Sequence, residues 1–228
     1  MDDFLITKRL LSNTTKKDLF KLICKQIDNN FRLNSDEIEL LKSNFDITLH
    51  SLETNIAGVN NKYFSRNNIP FFNPFHSGHY LTFLYYYSYY ISKKNDKIAD
   101  CLADKIYYLN KLFNAVDIYH KVNLPEIFFF EHPLGSVLGR AQYSSNLFIM
   151  QGCTVGGTNA GYPILGKNFS MYSNSKIIGD CVVGDNVILA ANSYVKDTNI
   201  DSNKVVFGQY PNNVIKENKN HSLNFKQS

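Results

Sequence analysis

The chain has 228 residues, a formal net charge of +4, 44% hydrophobic and 14% aromatic residues, and only 19% charged ones. That length suits one large domain or two modest ones, and the apolar share excludes a disordered chain. No block of five or more Lys/Arg marks a nucleic-acid surface, and the four widely spaced cysteines, Cys24, Cys101, Cys153 and Cys181, form no CxxC pair, which excludes a zinc ribbon or a dense disulfide framework and reads as reduced thiols in a cytoplasmic protein.

The opening MDDFLITKRL has no apolar core of a secretory leader. In TTKKDLFKLICKQIDNNF, Leu19, Leu22, Ile23 and Ile27 recur at helical spacing. Asn34 with Glu37 three residues on reads as a capping pair, and Ile38, Leu41, Phe45 and Leu49 follow on one face. Asn73-Pro74 interrupts the chain before YLTFLYYYSYYI, Tyr80–Ile91, with His76 and His79 flanking the start of that helix. A run of this length is short of the ~20 residues a membrane span needs and predicts a buried or intersubunit helix. DKIADCLADKIYYLNKLF carries the same periodicity through Ile98, Cys101, Leu102, Ile106, Leu109 and Phe113. Residues 1–115 are therefore expected to form a helical N-terminal domain.

Beyond it the period changes. Aliphatic residues recur every six positions at Leu165, Met171, Ile177, Val183, Leu189 and Val195, and four residues after each stand Phe169, Ser175, Cys181, Val187, Ser193 and Asn199. Ile149 and Val155 continue the row backwards in another phase, and Ile118 and Leu124 begin it. Neither a helix nor an ordinary strand repeats every six. A hexapeptide period predicts a parallel β-helix in which each hexad makes one flat side, the aliphatic residue points inward and small residues turn the corners. This solenoid is expected over residues 116–216, with Gly156–Pro163 as a loop thrown out of the coil and residues 217–228 as a polar tail. The fold class is α+β.

Several stretches of the second half resemble the serine acetyltransferase family of hexapeptide-repeat acyltransferases: VDIYH (Val116–His120), EHPLGSVLG (Glu131–Gly139), CTVGGTNAGYPILG (Cys153–Gly166), IIGDCVVGDNVILAANSYV (Ile177–Val195) and VFGQYPNNVIK (Val206–Lys216). The resemblance covers roughly residues 117–216; the helical half matches only in kind. It implies a left-handed β-helix, a homotrimer or a dimer of trimers, acetyl-CoA as co-substrate in the groove between subunits, no metal, and a small-molecule hydroxyl acceptor.

The resemblance also assigns residues. His132 takes the place of the family's catalytic histidine and Asp117 that of its paired aspartate. An alcohol must lose its proton as the new ester bond forms, and an imidazole titrating near ~6.5 suits that task. With about 18 residues per turn and turns stacked ~4.8 Å apart, Asp117 falls on the turn adjoining His132, where its carboxylate can hold one ring nitrogen and leave the other free. Glu131 stands where the family has an acceptor-binding aspartate. Gly156, Gly157 and Thr158 form the glycine-rich turn, whose backbone N–H can face the oxyanion, and Ser173, Ala191 and Asn192 fall where the family's coils meet CoA. One departure is large: the loop's Arg-His pair is replaced by Gly161 and Tyr162, which removes a bidentate carboxylate clamp. Serine is the family acceptor, and a sugar hydroxyl is the alternative that needs no clamp. A non-catalytic oligomeric scaffold is the competing class. A γ-class carbonic anhydrase, on the same solenoid, needs three histidines, and this half offers His120 and His132 before the tail's His221.

Overall fold

The computed structural model describes residues 3–219 and 224–226, and the chain divides into two compact units, Met1–Asn114 and Ala115–Ser228. In the first unit, helices start where side chains satisfy their orphan N–H groups. Thr15 caps α1 (Lys16–Phe31) by accepting from the Asp18 N–H at 3.0 Å, and Leu19, Ile23 and Ile27 are its buried stripe. Asn34 and Glu37 make both bonds of a capping box at the start of α2 (Ser35–Gly58), which buries Leu41, Phe45 and Leu49.

The tyrosine-rich segment is α3 (Ser77–Ser92), buried on nearly every side and packed against α2 and against α4 (Lys97–Asn114). A helix apolar all round belongs in a core, provided each phenol finds a polar partner. Tyr87 donates to the carbonyl of Leu41 at 2.6 Å, Tyr80 donates to Gln26, and the hydroxyls of Tyr90 and Ser51 lie 2.6 Å apart. Among the described residues no helix is long and apolar enough to cross a membrane. The expected stripe on α4 holds in its middle, at Leu102, Ile106 and Leu109, and fails at the other three positions. Its buried face runs through Ala99, Leu102, Ala103, Ile106 and Leu109, while Ile98, Cys101 and Phe113 are exposed. Short strands β1 (Phe4–Leu5), β2 (Leu11–Ser12), β3 (Ser65–Arg66) and β4 (Ile69–Phe72) complete the unit as a sheet ordered β1-β2-β4-β3.

His76 caps α3, and His79 is buried in its first turn. The Nδ1 of His79 accepts from the Asn73 N–H at 3.0 Å, and its ring lies 4.2 Å from that of Phe64 and 4.1 Å from that of His76. Burial, and then the neighbouring His76, hold its pKa well below the ordinary histidine value. The unfolded chain therefore binds the proton that the folded unit refuses.

The second unit is a parallel β-helix, left-handed, of about five turns. Its first face stacks β5 (Asp117–Ile118), β7 (Val137–Leu138), β10 (Thr154–Gly156), β13 (Lys176–Ile178) and β16 (Tyr194–Lys196). The second stacks β8 (Gln142–Tyr143), β11 (Ile164–Leu165) and β14 (Val182–Val183). The third stacks β6 (Phe128–Phe130), β9 (Leu147–Ile149), β12 (Phe169–Met171), β15 (Ile188–Leu189) and β17 (Lys204–Phe207), closed by β18 (Val214–Glu217), which pairs antiparallel to β17. The hexad row visits the faces in rotation. Leu165 pairs with Val183, Met171 with Leu189 and Ile177 with Val195, and all six are buried. Ser175, Cys181, Val187 and Ser193 are buried with them.

The row slips once. Asn199 is exposed and its Oδ1 accepts from the Val182 N–H at 2.9 Å, while Ile200 takes the inward place opposite Val183. The last coil is one residue shorter, and Val206 is paired with Leu189. Within the tail, Phe225 is buried; residues 220–223, which include His221, and 227–228 lie outside the described residues.

The corners are turned by conformation more than by small size. Asn146, Asn168, Asn186 and Asn203 all take positive φ, between 56° and 65°, at the corner between the second and third faces. Their side chains form a ladder: Asn146 Nδ2 donates to Asn168 Oδ1 at 2.8 Å, Asn168 to Asn186 at 2.8 Å, and Asn186 to Asn203 at 3.0 Å. Asparagine tolerates the left-handed region, and here its amide also ties each coil to the next.

Two outcomes follow. Replacing Asn168 by Ala removes two side-chain bonds and leaves a Cβ-bearing residue at positive φ, so it costs about 2–3 kcal/mol, and Asn168→Gly costs less; denaturant unfolding of both variants checks the order. Because His79 is held neutral, stability falls as pH drops below about 6.5, toward the depressed folded value, and His79→Gln flattens that slope in melting-temperature profiles.

Candidate active site

The first face carries the candidate residues along its two edges. Asp117 opens β5 at its base, half-buried, with Val137, Thr154, Lys176 and Tyr194 above it in successive coils. Its inward neighbour Ile118 pairs with Leu138 and is buried, which leaves the aspartate on the outer side of the strand. One coil of the solenoid here takes 20 residues, since Asp117 pairs with Val137.

His132 lies on the corner leading into β7. Phe128, Phe129 and Phe130 before it are buried, and so is Pro133 after it, but the histidine adopts φ 51° and is exposed. The aromatic run therefore belongs to the core and the histidine does not. The left-handed turn throws the imidazole out of a corner whose backbone is fixed on both sides. The Gly135 N–H donates to Ala115 O at 2.8 Å and the Asp117 N–H to Ser136 O at 2.9 Å, clamping this corner onto the coil that carries Asp117. Ser136, buried, donates to Met150 O at 2.8 Å and braces the corner from the other side. The Glu131 N–H donates to Ile149 O at 2.9 Å and leaves its half-buried carboxylate beside the turn. Among the described residues, the His132 ring takes part in no hydrogen bond. Ser173, Ala191 and Asn192 lie along this same edge, the Asn192 N–H donating to Ser173 O at 2.8 Å.

The glycine-rich turn is on the opposite edge, where the first face passes to the second. The loop after β10 is closed by the Thr158 N–H donating to Gly161 O at 3.0 Å, so Thr158 spends its donor within the loop and Gly157 holds the N–H that this turn does not use. Tyr162, 48% exposed, lays its ring over Gly157; a Cβ there would stand 2.4 Å from two ring carbons. The loop is anchored by a residue the sequence reading did not single out. Asp197, at φ 43°, accepts from the Thr158 hydroxyl at 3.3 Å and from the Asp180 N–H at 2.9 Å. A side chain at Gly179 would meet the same carboxylate at 1.9 Å. A lone aspartate two coils from the loop carries no local signal; only the stacking register brings it over Thr158. The structure thus gathers Asp117, Glu131 and His132 with Ser173, Ala191 and Asn192 along one edge, and Gly156, Gly157, Thr158 and Tyr162 at the other.

Among the described residues, the remaining histidine and thiols of this unit are internal. His120 is buried with its ring 4.2 Å from that of Tyr119. Cys153 and Cys181 are buried in the coil, and burial pushes both thiols up, away from the thiolate a nucleophile requires.

No family model matches the chain. The serine acetyltransferase of Staphylococcus epidermidis is 30% identical over 120 residues, which are 50% of this chain and 55% of that protein. The serine acetyltransferase of Staphylococcus xylosus is 28% identical over 121 residues, 51% and 55% of the two chains. The chain therefore spans about half the length of the curated relatives it matches. The crystal structure of serine acetyltransferase from Brucella abortus superposes with a TM-score of 0.69 at 18% identity, over 90% of this chain and 86% of that one. In both sequence and fold, the chain resembles the serine acetyltransferases. A serine acetyltransferase in complex with CoA superposes with a TM-score of 0.66 at 18% identity, over 87% and 83% of the two chains. At such identities the structural likeness carries the fold: helices followed by a left-handed β-helix.

If Asp197 is what holds the loop, Asp197→Ala speeds amide exchange of residues 157–162 by an order of magnitude or more and leaves the coil amides protected. Hydrogen-exchange mass spectrometry reads both sets at once.

Proposed function

We propose that this protein is an acetyl-CoA-dependent O-acetyltransferase with L-serine as acceptor. The observation that carries the reading is an exposed histidine at a corner clamped by two backbone bonds to the coil bearing Asp117. Its similarity to curated serine acetyltransferases, and to a serine acetyltransferase structure holding CoA, supports the choice of reaction and co-substrate.

In this mechanism His132 takes the proton of the serine hydroxyl as its oxygen attacks the thioester carbonyl. The C–O bond forms, the C–S bond breaks, and the departing thiolate takes a proton from the imidazolium. Asp117, on the coil to which this corner is clamped, orients the ring and steadies its charge through a bond that forms when substrates are bound. The Gly157 N–H, left over from the loop's own turn, faces the developing oxyanion. Glu131 and Tyr162 shape the acceptor pocket, and Ser173, Ala191 and Asn192 offer backbone groups to CoA. Transfer is direct, because the coil's cysteines are buried and protonated. His132 and the loop stand on opposite edges of one face, so a second copy of the chain, in a trimer or a dimer of trimers, completes each site by bringing its loop edge to the histidine edge. A cytoplasmic setting accords with a reaction that draws on acetyl-CoA.

His132→Ala lowers CoA release from acetyl-CoA and L-serine by ~10²–10⁴-fold while the particle mass by light scattering stays the same, and Asp117→Asn loses less. Equal thiol release by wild type and His132→Ala would sink the reading.

A further inference from the structure

We propose that Arg140 grips the carboxylate of the amino-acid acceptor, replacing the clamp that the loop of this chain lacks; this rests on the acetyltransferase reading above. The loop segment Gly157–Pro163, GTNAGYP, contains no cation. An amino acid brought to it as a zwitterion needs one from elsewhere, since an unpaired carboxylate loses its hydration without return.

Arg140 lies directly under the mouth of the loop. Where the loop leaves the coil, the Gly139 N–H donates to Val155 O at 2.8 Å, and a Cβ on Gly139 would stand 2.9 Å from that oxygen and 3.6 Å from the Gly156 Cα. Where the loop returns, the Gln142 N–H donates to Pro163 O at 2.9 Å. The two residues between, Arg140 and Ala141, therefore span the gap between the loop's ends on the coil below. The absence of a side chain at Gly139 lets the chain pass close enough for this, and Tyr143 pins the approach by donating to Gly139 O at 2.8 Å.

Arg140 is also uncommitted. It is exposed, and among the described residues its guanidinium makes no hydrogen bond or ion pair. The loop's far side is acidic: Asp180 stands 3.4 Å from a Cβ built on Gly161, and Asp197 holds Thr158. An anion is repelled there and is received by the planar fork of Arg140, whose geometry matches a carboxylate bidentately. Tyr162, lying across Gly157, then roofs the acceptor between loop and coil. A neutral sugar hydroxyl offers Arg140 no charge to pair, so the residue favours an acid.

The test is calorimetric titration of L-serine, and of ethanolamine, which lacks the carboxylate, into full-length wild type and Arg140→Met, with Arg140→Lys as a charge-keeping control. An exposed side chain is removed, so the coil is undisturbed. Wild type is expected to bind serine in preference to ethanolamine; Arg140→Met loses serine affinity ~10- to 100-fold and the preference with it, and Arg140→Lys falls between. Equal serine affinity in wild type and Arg140→Met overturns the proposal, as does wild type that binds no serine at millimolar concentration or binds ethanolamine equally well. Thiol release judges the parent reading separately: serine binding that depends on Arg140 without any CoA release keeps this inference and discards the enzyme.

Discussion

Everything in the second unit depends on the hydrogen-bond register between successive coils. Parallel strands one coil apart must place the same position of the hexad over itself, so each residue inherits the environment of its column. That constraint makes Leu165, Val183 and their counterparts a continuous apolar filling, lines up four asparagines into a ladder, and carries Asp197 to a loop it is nearly forty residues away from in sequence. It sets Arg140 under the ends of the same loop by the same rule. In a globular core such neighbours arise from many unrelated contacts; here one repeated spacing produces them all.

The inward row was legible because burial demands aliphatic side chains and the period of six is unlike any helix or strand. The corners were not. Positive φ is a backbone property, and an asparagine that supplies it looks like any polar loop residue until its partner one coil away is known. The slip after Val195 was hidden for a similar reason: a period of six puts residue 201 opposite Val183, but the coil drops one residue and the buried Ile200 takes that place. In the helical unit, capping at Asn34 and Glu37 was readable from two residues three apart, whereas the inward side of α4 was not: Ala99 and Ala103 are buried, and Ile98 and Phe113 are not. The histidine at 132 was found by resemblance, since three buried phenylalanines before it argue for a core residue. The left-handed turn that ejects it is a matter of one dihedral angle.

The candidate residues lie along two edges of one face. Along one, short backbone bonds fix a corner and leave an imidazole free; along the other, a glycine admits a tyrosine ring and an aspartate holds a hydroxyl. Backbone does the positioning, and the exposed side chains remain available for chemistry. The buried thiols and the buried His120, by contrast, are kept from it by the same packing that makes the coil rigid.

The hairpin that ends the coil has a further consequence. A solenoid of identical rungs offers its last strand as a template for another, and end-to-end stacking of such units would produce fibres. Here the final rung is one residue short, and β18 turns back to occupy the free edge of β17 in the opposite direction. A neighbouring molecule arriving along the axis meets a strand whose hydrogen bonds are already taken and whose polarity is wrong for continuation. Growth along the axis is blocked at that edge.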